Sequence, residues 1–189
     1  MIRIGILGDI GSGKSYVARN FGYPVFNADH EVAQLYQKNK KIFVRLKKNL
    51  PKYFHLFPIK KEEISNAILA NKNNLNKIVK IVHTEVRKKM NLFLRKNKNE
   101  KIVILDIPLL LENKINKKKD ILVFVQSKKL EIEKKLKKRK NFNQKLLKKF
   151  KSIQYSTNYK KKKSDYVIKN NFTKKSINDG VRNILKEIT

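Results

Sequence analysis

Four residues near the start of the chain, Gly8, Gly13, Lys14 and Ser15, meet the spacing G-x-x-x-x-G-K-S/T within the stretch GDIGSGKSY. Each residue type has a task in holding a polyphosphate. Glycines let backbone N–H groups close around phosphate oxygens, and a helix beginning at the loop turns its positive end toward them. The lysine reaches the β- and γ-phosphates, and the hydroxyl ligates Mg²⁺. The expected cradle comprises Gly8, Asp9, Ile10, Gly11, Ser12, Gly13, Lys14, Ser15 and Tyr16. IRIGIL precedes it as an apolar run, and KSYVARNF follows at helical spacing. That strand-loop-helix setting is the one the motif requires. A nucleoside triphosphate such as ATP, with Mg²⁺, is the expected occupant.

A phosphate cradle does not name a reaction, because motors, GTPases and small-molecule kinases share it. A GTPase needs a base-reading N-K-x-D late in the chain, and none is evident; a motor needs more chain than 189 residues. A small kinase needs a carboxylate that takes or orients a hydroxyl proton. Asp29 closes VFNAD at the expected C-terminal edge of a second strand, where ligands collect in open α/β sheets. The competing role for Asp29 is a cap on a helix opening at His30. Asp106 closes KIVILD and reads either as the acid beside the metal or as a structural residue at a strand end.

The elements that must position these groups alternate. IRIGIL, YPVFNAD, KIVILDIP, ILVFVQS and DYVIKN read as short strands, roughly five in all. Between them lie a helical, basic stretch from Glu31 to about Leu50, a helix begun by KKEEISNAIL, and a long helix over about Asn74–Lys96. The long helix carries Leu75, Val79, Val82, Val86, Met90 and Phe93 on one stripe. KYFHLF, bracketed by Pro51 and Pro58, reads as a loop or a short strand pair, and Ser127 as the N-cap of KKLEIEKKLKKRK. A lysine-rich segment over about 141–163 precedes the last strand, and a closing helix runs to Ile188. Nearly all-apolar strands separated by helices predict an α/β fold, a parallel sheet covered on both faces.

Composition narrows the class. At 40% hydrophobic, 189 residues bury one core, and no stretch approaches the roughly 20 apolar residues of a membrane span. Cysteine is absent, which excludes disulfides and thiolate chemistry. A soluble cytoplasmic protein with no targeting segment is expected. The net charge of +32 would suit a nucleic-acid partner. The excess is nearly all lysine spread along the chain, whereas bidentate phosphate and base recognition favours arginine. Runs such as KINKKK and YKKKKS read as solvated faces, so small polyanions rather than a specific nucleic acid are the expected partners.

With these pieces placed, the sequence resembles the dephospho-CoA kinase family over essentially its full length. The resemblance is carried by GDIGSGKS, VFNADHEVAQLY, HTEVR, DIPLLLEN and DYVIKNN, in that order. It implies a three-layer P-loop kinase with a core at about 1–30, 101–138 and 164–189, a helical acceptor-binding region at about 31–100 and a lid at about 139–163. It implies that Lys14 and Ser15 bind ATP phosphates and Mg²⁺. Asp29 then orients or deprotonates the ribose 3′-hydroxyl of dephospho-CoA in the last step of coenzyme A synthesis. His83 and Arg87 lie toward the acceptor, Pro108, Leu109, Leu110 and Glu112 form its wall, Arg139 closes on the phosphates, and Asn170 lies near the adenine. A monomer or small homo-oligomer is expected. Asp9 stands where the family has glycine, Asn27 replaces the first acid of D-A-D, and Thr84 replaces a proline. Lys61, Lys135 and Lys160 stand where arginine is frequent, keeping the charge but losing the planar fork. The rivals are another small-molecule kinase of this architecture and a nucleic-acid-binding protein with a structural phosphate loop.

Overall fold

The computed structural model describes residues 1–140 and 142–189. In chain order the elements are β1 (Ile2–Gly8), α1 (Lys14–Asn20), β2 (Val25–Asn27), α2 (Ala28–Lys38), α3 (Lys40–Asn49), α4 (Lys61–Ala70), α5 (Lys72–Lys96), β3 (Ile102–Asp106), β4 (Ile121–Gln126), α6 (Lys129–Lys137), α7 (Gln144–Lys151), α8 (Thr157–Lys162), β5 (Tyr166–Lys169) and α9 (Lys174–Ile188). The chain divides into two compact units.

The first unit comprises Met1–Asn27, Lys96–Phe142 and Gln154–Thr189. It holds five parallel strands in the order β2-β3-β1-β4-β5. The first and third strands are neighbours, so β1 lies at the centre and its C-terminal end opens into the phosphate loop. The strands are apolar on both sides because both sides are covered. Ile4, Ile6, Ile104, Val123 and Val125 pack with Val17 and Ala18 of α1 and with Ile177, Val181 and Ile184 of α9. Alternation along a strand sends Val103, Leu105, Leu122 and Phe124 to the opposite face, where they are buried as well. Leu110 covers part of that face and lies so close to Gly5 that a Cβ there would meet it at 2.5 Å. Trimming Ile104, which has no exposed surface, to valine is expected to cost about 1 kcal/mol of stability by urea unfolding.

The second unit comprises Ala28–Arg95 and Asn143–Ile153 and is helical. The stripe expected on α5 buries Leu75, Val82, Val86 and Met90, together with Ile78 and Ile81. Val79 and Phe93 are only half-buried, at its margin. Asn74 donates from Nδ2 to the Ala67 carbonyl at 3.0 Å, joining α4 to α5.

Three local expectations are corrected, and one of two alternatives is chosen. The helical stretch from Glu31 to Leu50 is two helices, because Asn39 leaves the helix and accepts at Oδ1 from Ile42 N at 3.1 Å, capping α3. KYFHLF forms turns and bends, the loop of its two expected alternatives. Ser127 does not cap α6, whose N-cap is Lys128; its hydroxyl donates to the Ser12 carbonyl at 3.0 Å. Asp29 does not end β2, which stops at Asn27. The expected lid interval holds α7 and α8, its residues 143–153 belonging to the second unit and 154–163 to the first. Asn141, within that interval, lies outside the described residues.

Candidate active site

The loop between β1 and α1 has its shape because three glycines, Gly8, Gly11 and Gly13, adopt positive φ. Gly8 adopts φ +148° and Gly13 φ +91°, conformations that side chains disfavour. A Cβ on Gly8 would meet Ser12 Oγ at 2.7 Å, and one on Gly13 would meet Asn170 Nδ2 at 2.5 Å. Gly13 is also the N-cap of α1, so the turn delivers the first amides of the helix at the loop. Lys14 bends back across the loop and donates from Nζ to the carbonyls of Asp9 at 2.7 Å and Gly8 at 3.2 Å. Ser15 follows in the first turn of α1 and is half-buried, while Tyr16 is exposed.

Distant residues hold this loop from below. The Ser12 carbonyl accepts two hydrogen bonds, from Ser127 Oγ at 3.0 Å and from Asn170 Nδ2 at 2.8 Å. Asn170 is 3% exposed and sits just past β5. Its carboxamide is therefore committed to the phosphate loop. Asp9 points its carboxylate at α8, where Thr157 Oγ1 donates to Oδ1 at 2.8 Å. The substitution for glycine is thus absorbed by a side-chain contact, and the Asp9 carbonyl remains the seat of the Lys14 ammonium.

Asp106 ends β3 and is 3% exposed. Asn27 lies opposite it in the parallel register and donates from Nδ2 to Asp106 Oδ2 at 2.7 Å. An aspartate at position 27 would set two carboxylates against each other at that distance, so the asparagine removes a repulsion and leaves Asp106 the acid of this pair. Ser15 and Asp106 offer hard oxygen donors of the kind Mg²⁺ prefers. Mg²⁺ also needs few protein ligands when it arrives on a phosphate, and the described residues contain no group of three or more His, Cys, Asp or Glu able to hold a metal alone.

After β3 the chain turns through Pro108, Leu109 and Leu110 to Glu112. Glu112 Oε1 accepts from Tyr155 N at 2.8 Å and pairs with Lys160 Nζ at 3.2 Å, in a pair whose side chains are 9% and 2% exposed. Lys160 also donates to Gln154 Oε1 at 2.8 Å. Glu112 therefore anchors the segment entering α8, and its Oε2 is buried with no hydrogen-bond partner among the described residues. Arg139 lies just past the C-cap of α6, exposed, with its amide on the Leu136 carbonyl at 3.1 Å.

In the second unit, α2 begins at Ala28 and Asp29 occupies its first turn, exposed. An acid there is favoured by the helix dipole, and that helix-starting role does not exclude a chemical one. His83 and Arg87, one turn apart on α5, share a face. Burial first, and then the Arg87 charge, lower the His83 pKa below its ordinary 6.5. The folded protein thus disfavours the imidazolium. The stability contributed is fully present above the unfolded value and is lost as pH falls through the lower folded one. His83 is expected to titrate below 6.5 by NMR. Arg87→Gln should raise the midpoint without restoring it, since burial is the larger cause.

Spacing identified Gly8, Gly13, Lys14 and Ser15, but not Thr157, Ser127 or the Asn27–Asp106 pair. For that pair alone a signal exists: both residues close short apolar runs that a parallel sheet can place side by side.

Comparison with known proteins adds three kinds of likeness. The family model for dephospho-CoA kinase matches residues 2–176. A dephospho-CoA kinase of Wolbachia pipientis wMel is 33% identical over 190 residues, covering 98% of this chain and 97% of the relative. The crystal structure of TT1252 from Thermus thermophilus superposes with a TM-score of 0.77 at 25% identity, over 100% of this chain and 98% of the other. A dephospho-CoA kinase from Campylobacter jejuni shares the fold, with a TM-score of 0.61 at 19% identity over 99% and 97% of the two chains.

Proposed function

This chain belongs to the dephospho-CoA kinase family, and we propose that its phosphate loop holds the donor of that reaction while Asp29 aims the acceptor. It is an ATP-dependent kinase: the γ-phosphoryl of ATP passes to the ribose 3′-hydroxyl of dephospho-CoA, giving coenzyme A and ADP. The observation that carries the donor side is Lys14 Nζ folded onto the carbonyls of Gly8 and Asp9, in a loop shaped by glycines at positive φ.

Phosphoryl transfer asks the protein chiefly for alignment and for charge on the equatorial oxygens. Lys14 supplies charge at the β- and γ-phosphates, and Arg139, exposed past α6, adds to it. Ser15 and Asp106 would hold Mg²⁺, which would neutralise phosphate charge. Asp29 accepts the proton of the attacking hydroxyl or orients it. His83 and Arg87 serve the acceptor, as do Pro108, Leu109 and Glu112; Leu110, fully buried against Gly5, backs that segment without touching a ligand. Residues 139–163 act as the lid, and Asn170, by bracing Ser12, fixes the loop on the adenine side. No helix of the described residues is long and apolar enough to cross a membrane. Action in the cytoplasm, as a monomer or small homo-oligomer, belongs to the same proposal.

A coupled ADP-release assay with dephospho-CoA, adenosine monophosphate and shikimate as acceptors tests the reading. Turnover that depends on dephospho-CoA is expected. Turnover with adenosine monophosphate and none with dephospho-CoA would overturn the acceptor.

A further inference from the structure

Phe172 lies in the short connection between β5 and α9 and adopts φ +64°. A bulky side chain rarely occupies that region, and holding it there costs free energy unless the surroundings impose it. The surroundings here are identifiable. Asn170 accepts at Oδ1 from Phe172 N at 2.7 Å while its Nδ2 donates to the Ser12 carbonyl at 2.8 Å. One buried carboxamide thus sets the ring's backbone and the phosphate loop in a common frame. The ring lies at the loop: its Cε1 is 3.7 Å from where a Cβ on Gly13 would stand. It is also half-buried, and the exposed Lys135 places its ammonium 4.9 Å from the ring centroid, within cation–π range.

We propose that the Phe172 ring is the stacking platform for the purine base of the phosphate donor. This rests on the donor reading of the phosphate loop and adds the residue that grips the nucleoside. An aromatic face presented beside a polyphosphate cradle suits a base, because every base offers a π-face and stacking needs no hydrogen-bond readout. Lys135 marks the ring as electron-rich and reachable. Being long and exposed, its ammonium yields the face to an incoming base.

Two probes separate the base from the phosphates: ATP, and inorganic tripolyphosphate, which has no base. Calorimetric titration of the full-length protein is expected to show Phe172→Ala binding ATP roughly tenfold more weakly, within the range stacking supplies. Its tripolyphosphate affinity should equal that of the parent, and Phe172→Tyr should restore ATP binding. Unchanged ATP affinity in Phe172→Ala, or equal loss for both probes, would overturn the platform. If the parent binds neither probe, the phosphate-loop reading itself fails, a result distinct from a Phe172 effect. Thermal unfolding supplies a second readout. Phe172→Gly loses the same ring but relieves the backbone, so it is expected to melt about 2–4 °C above Phe172→Ala. Equal melting temperatures would mean that the backbone at Phe172 carries no strain, and the imposed placement of the ring would fall with it.

Discussion

Asp29→Asn is expected to lower turnover by about 10²–10⁴-fold, the usual contribution of a positioned general base, while ATP still binds. The substitution keeps the shape and a polar terminus but withdraws the negative charge that accepts or orients a hydroxyl proton. Because Asp29 lies in the first turn of α2, the same change also removes a dipole-stabilising acid, worth only about 0.3–1 kcal/mol. The two consequences separate in measurement. A small drop in melting temperature with normal turnover would leave Asp29 as a helix-starting residue alone and move the catalytic role elsewhere. A large loss of turnover with intact ATP affinity supports the chemical role.

Lys14→Ala is expected to weaken triphosphate binding by at least about 30-fold, the lower bound for truncating one partner of a desolvated charge pair. The ammonium sits on two loop carbonyls, Gly8 and Asp9, so its removal also loosens the loop. Calorimetry with ATP reads the effect directly. Unchanged affinity would contradict the assignment of the loop as a phosphate cradle. Asp9 provides a control of opposite sign. Its carboxylate is tied to Thr157, and Asp9→Asn keeps a hydrogen-bond acceptor while removing a negative charge beside the polyanion. ATP binding by that variant should equal or exceed the parent's.

Some features were legible in the residues because they are local. The G-x-x-x-x-G-K-S spacing, the apolar runs of β1, β3 and β4, and the stripe on α5 each depend on neighbours within a few positions. Period and composition report such features without reference to the rest of the chain. The departures at Asp9 and Asn27 were visible as departures, but not their resolution. Asn27 meets Asp106 across 79 positions and Asp9 meets Thr157 across 148. Ser127 illustrates the limit from the other side. Its type and place before α6 made an N-cap the natural local reading, yet its hydroxyl serves Ser12, 115 positions away. A tertiary acceptor won over a local one.

The sequence by itself therefore determined that a polyphosphate loop follows the first strand, that the fold is α/β, and which family the chain resembles. Those follow from local backbone demands and ordered motifs. Only the tertiary structure decided how that loop is held: Asn170 and Ser127 bracing one carbonyl, Glu112 and Lys160 paired in the interior, and Phe172 set at Gly13 in a conformation its own residue type resists. Contacts of this kind form when the sheet brings the C-terminal ends of β1, β3, β4 and β5 to one edge. They join residues whose separation along the chain carries no periodic signal.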